Sequence, residues 1–201
     1  MKTMTLFRFA ALAVALTMAA PAAAQTDPAV QTVQSFYDGL MDTMKQGKAL
    51  GLNGRIAKMT PVVEQAYDLG DMTRIIVGPG WAGLSASDQQ GLTKAFERMT
   101  VVSYAKNFDS YGGEKFVVDP AVQPRGADKI VQSKLVTSGQ TVPFNYRLRE
   151  VGGSWKILDV YLNGTISELA TRRSDFGATL ASGGAPALIK KINDLTDSLM
   201  K

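Results

Sequence analysis

Asp159 is the residue best placed to do chemistry. It is the one acid in the run Trp155–Leu162, which is otherwise apolar or aromatic apart from Lys156. A carboxylate among aromatics, with Tyr146 on a neighbouring strand, could serve as a general base whose pKa desolvation raises. The competing reading is a plain ion pair with Arg147. Asp71 is accounted for as the cap of a helix starting at Met72, and Arg172-Arg173-Ser174-Asp175-Phe176 as a solvated helix face with a local ion pair. The rest of the catalytic repertoire is missing. The chain has no histidine and no cysteine, so a Ser-His-Asp triad is excluded and zinc has neither imidazole nor thiolate. It contains no Asp-x-Asp-x-Asp-Gly calcium loop and no phosphate-binding glycine motif. Gly78-Pro79-Gly80 and Gly183-Gly184 read as helix ends. Neither a metal nor a cofactor is expected.

The elements that must position Asp159 form a hairpin. Val142, Phe144, Tyr146 and Leu148 alternate with Pro143, Asn145, Arg147 and Arg149, the period of a half-buried strand. Gly152-Gly153 supplies a turn, and Trp155–Leu162 is a second strand, apolar on both faces. A two-residue turn would set Tyr146 against Asp159 and Arg149 against Lys156, a like-charge pair. A three-residue loop, Gly152 to Ser154, sets Glu150 against Lys156 and Arg147 against Asp159. The second register is expected. It puts Phe144, Tyr146 and Leu148 on one face with Leu158, Val160 and Leu162. Phe96, Met99 and Phe176, on helices before and after the sheet, are the expected residues opposite them. Whether these apolar side chains close into a core or line a cavity is not decided by periodicity.

Apolar spacing predicts helices from Asp27-Pro28 to Gly47, around Leu52–Met59, from Thr60-Pro61 through Tyr67, from Asp71 to Val77 and from Ser85 to about Lys106. Short strands follow at Phe116–Val118, ended by Pro120, and at Ile130–Val136. With the hairpin they make four antiparallel strands. Helices Ile166–Leu180 and Ala185–Met200 close the chain. Helices first and strands later indicate an α+β domain.

The 201 residues suit one domain plus a leader. Lys2 and Arg8 precede the apolar run Phe9–Ala20, Ala22-Ala23-Ala24 supplies small residues for cleavage, and no acid occurs before Asp27. Residues 1–24 are therefore expected to be a signal peptide cut near Ala24, and residues 25–201 the exported domain. Removing Lys2 and Arg8 lowers the formal net charge from +4 to about +2. No Lys/Arg cluster with interleaved aromatics marks a nucleic-acid partner.

Asp71-Met72-Thr73-Arg74-Ile75-Ile76-Val77-Gly78 with Trp81, the Ser85–Gln90 helix start and Phe96 resembles the middle of the MlaC-type family, the toluene-tolerance or lipid-asymmetry proteins. Trp155–Val160 with Gly164, Ile166-Ser167, Arg173 and Phe176 resembles its second motif. The likeness runs from about Val30 to Leu199. Asn107–Glu114, Gly164–Ser167 and Arg173–Phe176 are similar to the hopanoid-associated branch, HpnM. The family's Gly-Val-Ser before the helix is here one residue longer, Gly164-Thr165-Ile166-Ser167.

The resemblance implies a curved four-stranded sheet enclosed by six or seven helices around an apolar cavity. It implies a soluble periplasmic carrier that buries acyl chains of a phospholipid or a hopanoid. The carrier would exchange them with an inner-membrane ABC transporter complex and touch membrane surfaces transiently. Phe96, Met99, Phe144, Tyr146, Leu148, Leu158, Val160, Leu162 and Phe176 are then the candidate lipid-binding residues. The alternatives are a cavity-bearing isomerase or hydrolase using Asp159 with Tyr146, and a structural envelope protein with a filled interior.

Overall fold

The computed structural model describes residues 26–201. The expected signal peptide and its cleavage site lie outside the described residues. Helix α1 spans Pro28–Lys45, capped by Asp27, whose carboxylate accepts from the Ala29 amide at 2.9 Å. The other Asp27 oxygen accepts from Lys129 at 2.7 Å and ties this helix start to the sheet. Helix α2, Gly47–Ala66, turns non-helical at Gly51 (φ 60°, ψ −179°) and then runs straight through Pro61. The break predicted at Thr60-Pro61 is absent. Thr60 donates to the Ile56 carbonyl at 2.9 Å instead of capping a new helix. Helix α3 spans Leu69–Val77, a 3₁₀ turn spans Gly78–Gly83, and α4 spans Ala86–Asn107 with Ser85 as its cap.

Five strands follow in one antiparallel sheet with the order of the sequence: β1 (Lys115–Arg125), β2 (Asp128–Val136), β3 (Thr141–Val151), β4 (Ser154–Leu162) and β5 (Ile166–Ser167). Pro120 does not end β1. It sits at an irregularity between Val118 and Val122 on an edge strand, where a missing amide costs no ladder bond. The fifth strand was not foreseen. Asn163 (φ 50°) and Gly164 (φ 78°) turn the chain back so that Ile166 and Ser167 pair with Leu162 and Tyr161.

Helix α5, Glu168–Leu199, joins the two helices expected there, and Gly184 (φ 65°, ψ −163°) followed by Pro186 bends it at the helix end expected from Gly183-Gly184. Among the described residues five helices replace the expected six or seven, because the two predicted gaps are a continuous helix at Pro61 and a bend at Gly184. Among the described residues no helix is long and apolar enough to cross a membrane.

The central hairpin resolves the register in two halves. Phe144 pairs with Leu162, Tyr146 with Val160 and Arg147 with Asp159, as expected. Beyond a bulge, Leu148 pairs with Ile157, Arg149 with Lys156, Glu150 with Trp155 and Val151 with Ser154. The turn is thus the two-residue Gly152-Gly153, and Leu158 is the extra residue. The feared Arg149–Lys156 repulsion is relieved sideways. Arg149 turns to Asp128 at 2.6 Å, and the Lys156 ammonium donates to the Gln65 carbonyl.

Candidate functional site

A pocket of about 360 Å³ lies between the sheet and the helices. Its sheet wall is Phe116 from β1, Phe144 and Tyr146 from β3, and Val160 and Leu162 from β4. Tyr37 and Leu40 of α1, Tyr67 after α2 and Met72 of α3 add to it. Helix α4 contributes Phe96, Met99, Thr100, Ser103, Tyr104 and Asn107 in successive turns, with Phe108 just beyond, and α5 contributes Glu168, Leu169 and Arg172. The α4 spacing of three and four residues puts this whole set on one face.

Of the nine candidates, Phe96, Met99, Phe144, Tyr146, Val160 and Leu162 line the pocket. Leu148, Leu158 and Phe176 do not; all three are buried elsewhere in the interior. The bulge explains Leu158, because it hands the position opposite Leu148 to Ile157. Leu148 and Phe176 belong to the packed core instead. The residues missed from sequence include Thr100, Ser103, Tyr104 and Asn107. Their signal was available, since they continue the stripe begun by Phe96 and Met99. Glu168 and Arg172, four apart on α5, carried no such signal.

Polar atoms at the pocket wall are few and mostly committed. Thr100 and Ser103 donate to the Phe96 and Met99 carbonyls at 2.9 and 2.7 Å. Ser133 donates to the Phe144 carbonyl at 2.6 Å, so the Tyr37 hydroxyl, 2.7 Å away, donates to Ser133. Burial pushes the Tyr37 phenol up to about 12, against the opposing effect of its hydrogen bonds to Ser133 and Tyr146. Burial likewise raises Tyr67, Tyr104 and Tyr146. All four stay neutral near pH 7 and present hydroxyls rather than charges. The Tyr67 and Tyr104 oxygens are 2.5 Å apart. Only one proton can lie between them. Phe36 makes edge-on contacts with Tyr67, Tyr104 and Tyr146 and holds this aromatic group together.

Asp159 is not at the pocket. Its carboxylate accepts from the Val160 amide at 2.8 Å, the Ser167 hydroxyl at 2.6 Å and the Leu169 amide at 3.1 Å. Ser167 in turn accepts from the Ala170 amide at 3.0 Å. The acid and the serine together cap α5. The expected ion pair with Arg147 does not form, although the two residues face each other in register. Arg147 pairs instead with Asp128 at 2.5 Å, because β2 brings Asp128 opposite Arg149, two residues from Arg147 on the same face. Tyr146 opposes Val160, so its side chain lies on the other face of the hairpin from Asp159.

No cluster of three or more acids that could hold a metal ion occurs among the described residues. What the pocket can do is bury flexible apolar matter against neutral hydroxyls, with a single acid and a single base at its wall.

The comparisons with known proteins agree with this geometry. The phospholipid-binding protein from Ralstonia solanacearum, solved in complex with a phospholipid, matches at a TM-score of 0.77. The match covers 87% of this chain and 100% of that one at 20% sequence identity, and shows a shared fold. No curated protein matches the sequence. The family described as MlaC protein matches residues 34–194, most of the chain, and the protein belongs to that family.

Proposed function

We propose that this protein is a lipid carrier of the periplasm that buries acyl chain in the pocket and exchanges it with an inner-membrane ABC transporter complex. The single observation that carries the reading is the pocket itself, in a chain of this family. It is about 360 Å³ in volume and walled on the sheet side by Phe116, Phe144, Tyr146, Val160 and Leu162. Its wall suits the methylenes of an acyl chain. Burying them is favourable by roughly 0.8 kcal/mol each. Spontaneous escape into water is then slow, and release requires a docked acceptor that lets the pocket widen. No covalent step is involved.

The phospholipid carried by the similar Ralstonia protein supports a phospholipid here. A flexible chain enters such a pocket carbon by carbon, whereas the rigid rings of a hopanoid need the full width at once. The leader at residues 1–24 is the proposed export signal. The enzyme alternative finds no support, since Asp159 is held by three donors outside the pocket.

Mass spectrometry of an organic extract from the purified mature protein tests the reading. A phospholipid at near one per chain is expected. A hopanoid in its place would assign the protein to the hopanoid-associated branch, and an extract free of lipid would refute the carrier.

A further inference from the structure

Glu168 and Arg172 are the two charged side chains at the pocket wall, one turn apart on α5. Their carboxylate and guanidinium are 3.5 Å apart, with the side chains 28% and 32% exposed. That separation is too long for a strong charge-assisted hydrogen bond. Among the described residues every other arginine except Arg173 donates to a protein acceptor. Arg55 donates to the Ala105 and Gly47 carbonyls, Arg74 to Asp71, Arg98 to Asp197, and Arg147 and Arg149 to Asp128. Among the described residues Arg172 has only the loose contact to Glu168, so its planar fork of donors remains available at the pocket. A second unspent donor lies on the same wall. The Tyr67–Tyr104 pair has two hydroxyl protons and one mutual hydrogen bond, which leaves one proton without a protein acceptor.

We propose that Glu168 and Arg172 read the headgroup of the bound lipid, favouring a zwitterionic phosphodiester that carries an ammonium group over a net anionic one. The inference rests on the lipid-carrier reading. Arg172 offers two parallel N–H groups to phosphodiester oxygens, and Glu168 accepts from the ammonium. The spare tyrosine proton suits an ester carbonyl between headgroup and chain. A headgroup with phosphate alone satisfies Arg172 but sets its negative charge beside a half-buried carboxylate, a repulsion that discriminates against it.

The test loads delipidated mature protein from vesicles of equal parts phosphatidylethanolamine and phosphatidylglycerol, then quantifies both lipids in the re-isolated protein. Wild type should hold phosphatidylethanolamine in excess by about fivefold, the scale of one part-exposed charge contact. Glu168→Gln should bring the ratio close to one while keeping total lipid. Arg172→Gln should lower the retention of both lipids. Circular dichroism confirms that each variant is folded, and Glu168→Asp should restore part of the preference. Equal occupancy in wild type, or an unchanged ratio in Glu168→Gln, overturns the inference and leaves the carrier intact. An absence of both lipids from wild type overturns both. Calorimetry with water-soluble glycerophosphoethanolamine separates the remaining source. Binding as tight as the lipid's, and lost in Arg172→Gln, would assign the pair to a free solute and overturn the inference.

Discussion

Asp128 is nearly inaccessible, at 3% exposed, and takes two arginines at once. Burial alone would raise its pKa, but the hydrogen bonds from Arg149 and Arg147 outweigh that and hold it below 3.8. A folded pKa below the unfolded one contributes stability above about pH 4, which is lost as pH falls through the folded value. Asp128→Asn should therefore cost about 2 kcal/mol at pH 7, scaled down from a fully buried pair because both arginines reach solvent. The difference between variant and wild type should shrink in urea unfolding repeated at pH 3. Asp159→Ala should also destabilise, by about 1–2 kcal/mol, through loss of the α5 cap. It should leave lipid retention in the folded protein unchanged, as extract mass spectrometry would show. A structural role for Asp159, as the partner of Arg147, was one of the two readings open in its strand; its burial was not legible. Nor were its partners, because Ser167 and Leu169 reach it only through a two-residue strand with no sequence signature, and Arg147 is claimed by an acid nineteen positions away.

The hairpin shows the same limit one level up. Its alternation and its glycine turn were legible, and so was the pairing of Phe144, Tyr146 and Arg147. The bulge was not, since Ile157-Leu158 contains neither glycine nor proline to announce one. A slip in the loop would keep Leu158 on the pocket face, whereas the bulge takes it out of the pairing. The consequence is a sharp contrast between substitutions. Val160→Trp and Met99→Trp point added volume into the pocket, and should give folded protein with little bound lipid. Leu148→Trp overfills a packed core away from it, and should cost about 1–3 kcal/mol with lipid retention changed far less in whatever folds. Thermal unfolding and lipid quantification on the three variants check this together. Gly47→Ala is a further element-level case. A Cβ there would stand 1.9 Å from the Asp109 carbonyl oxygen, a backbone atom that has no rotamer to yield. That contact fixes the end of α4 against the start of α2, as Arg55 also does by donating to Ala105 and Gly47. The alanine variant should lower the melting temperature, and calorimetry would register it.

At the scale of the molecule, occupancy of the pocket is coupled to the stability of the fold. Lipid that binds the folded state alone also stabilises it. Delipidation should lower the urea midpoint, and reloading with phosphatidylethanolamine should restore it. Helix α5 is held along its length. Its first turn is bound to the sheet through Asp159 and Ser167, and beyond the bend at Gly184 it buries Ala185, Leu188, Ile192 and Thr196. Helix starts ordinarily fray, because their first amides have no carbonyl to reach. Here the Leu169 amide donates to a buried carboxylate, so in deuterated water it should be among the last of α5 to exchange. The turn that carries Glu168 and Arg172 is thus anchored beside the pocket by the sheet itself, independently of the packing of Ala185, Leu188, Ile192 and Thr196 beyond the bend.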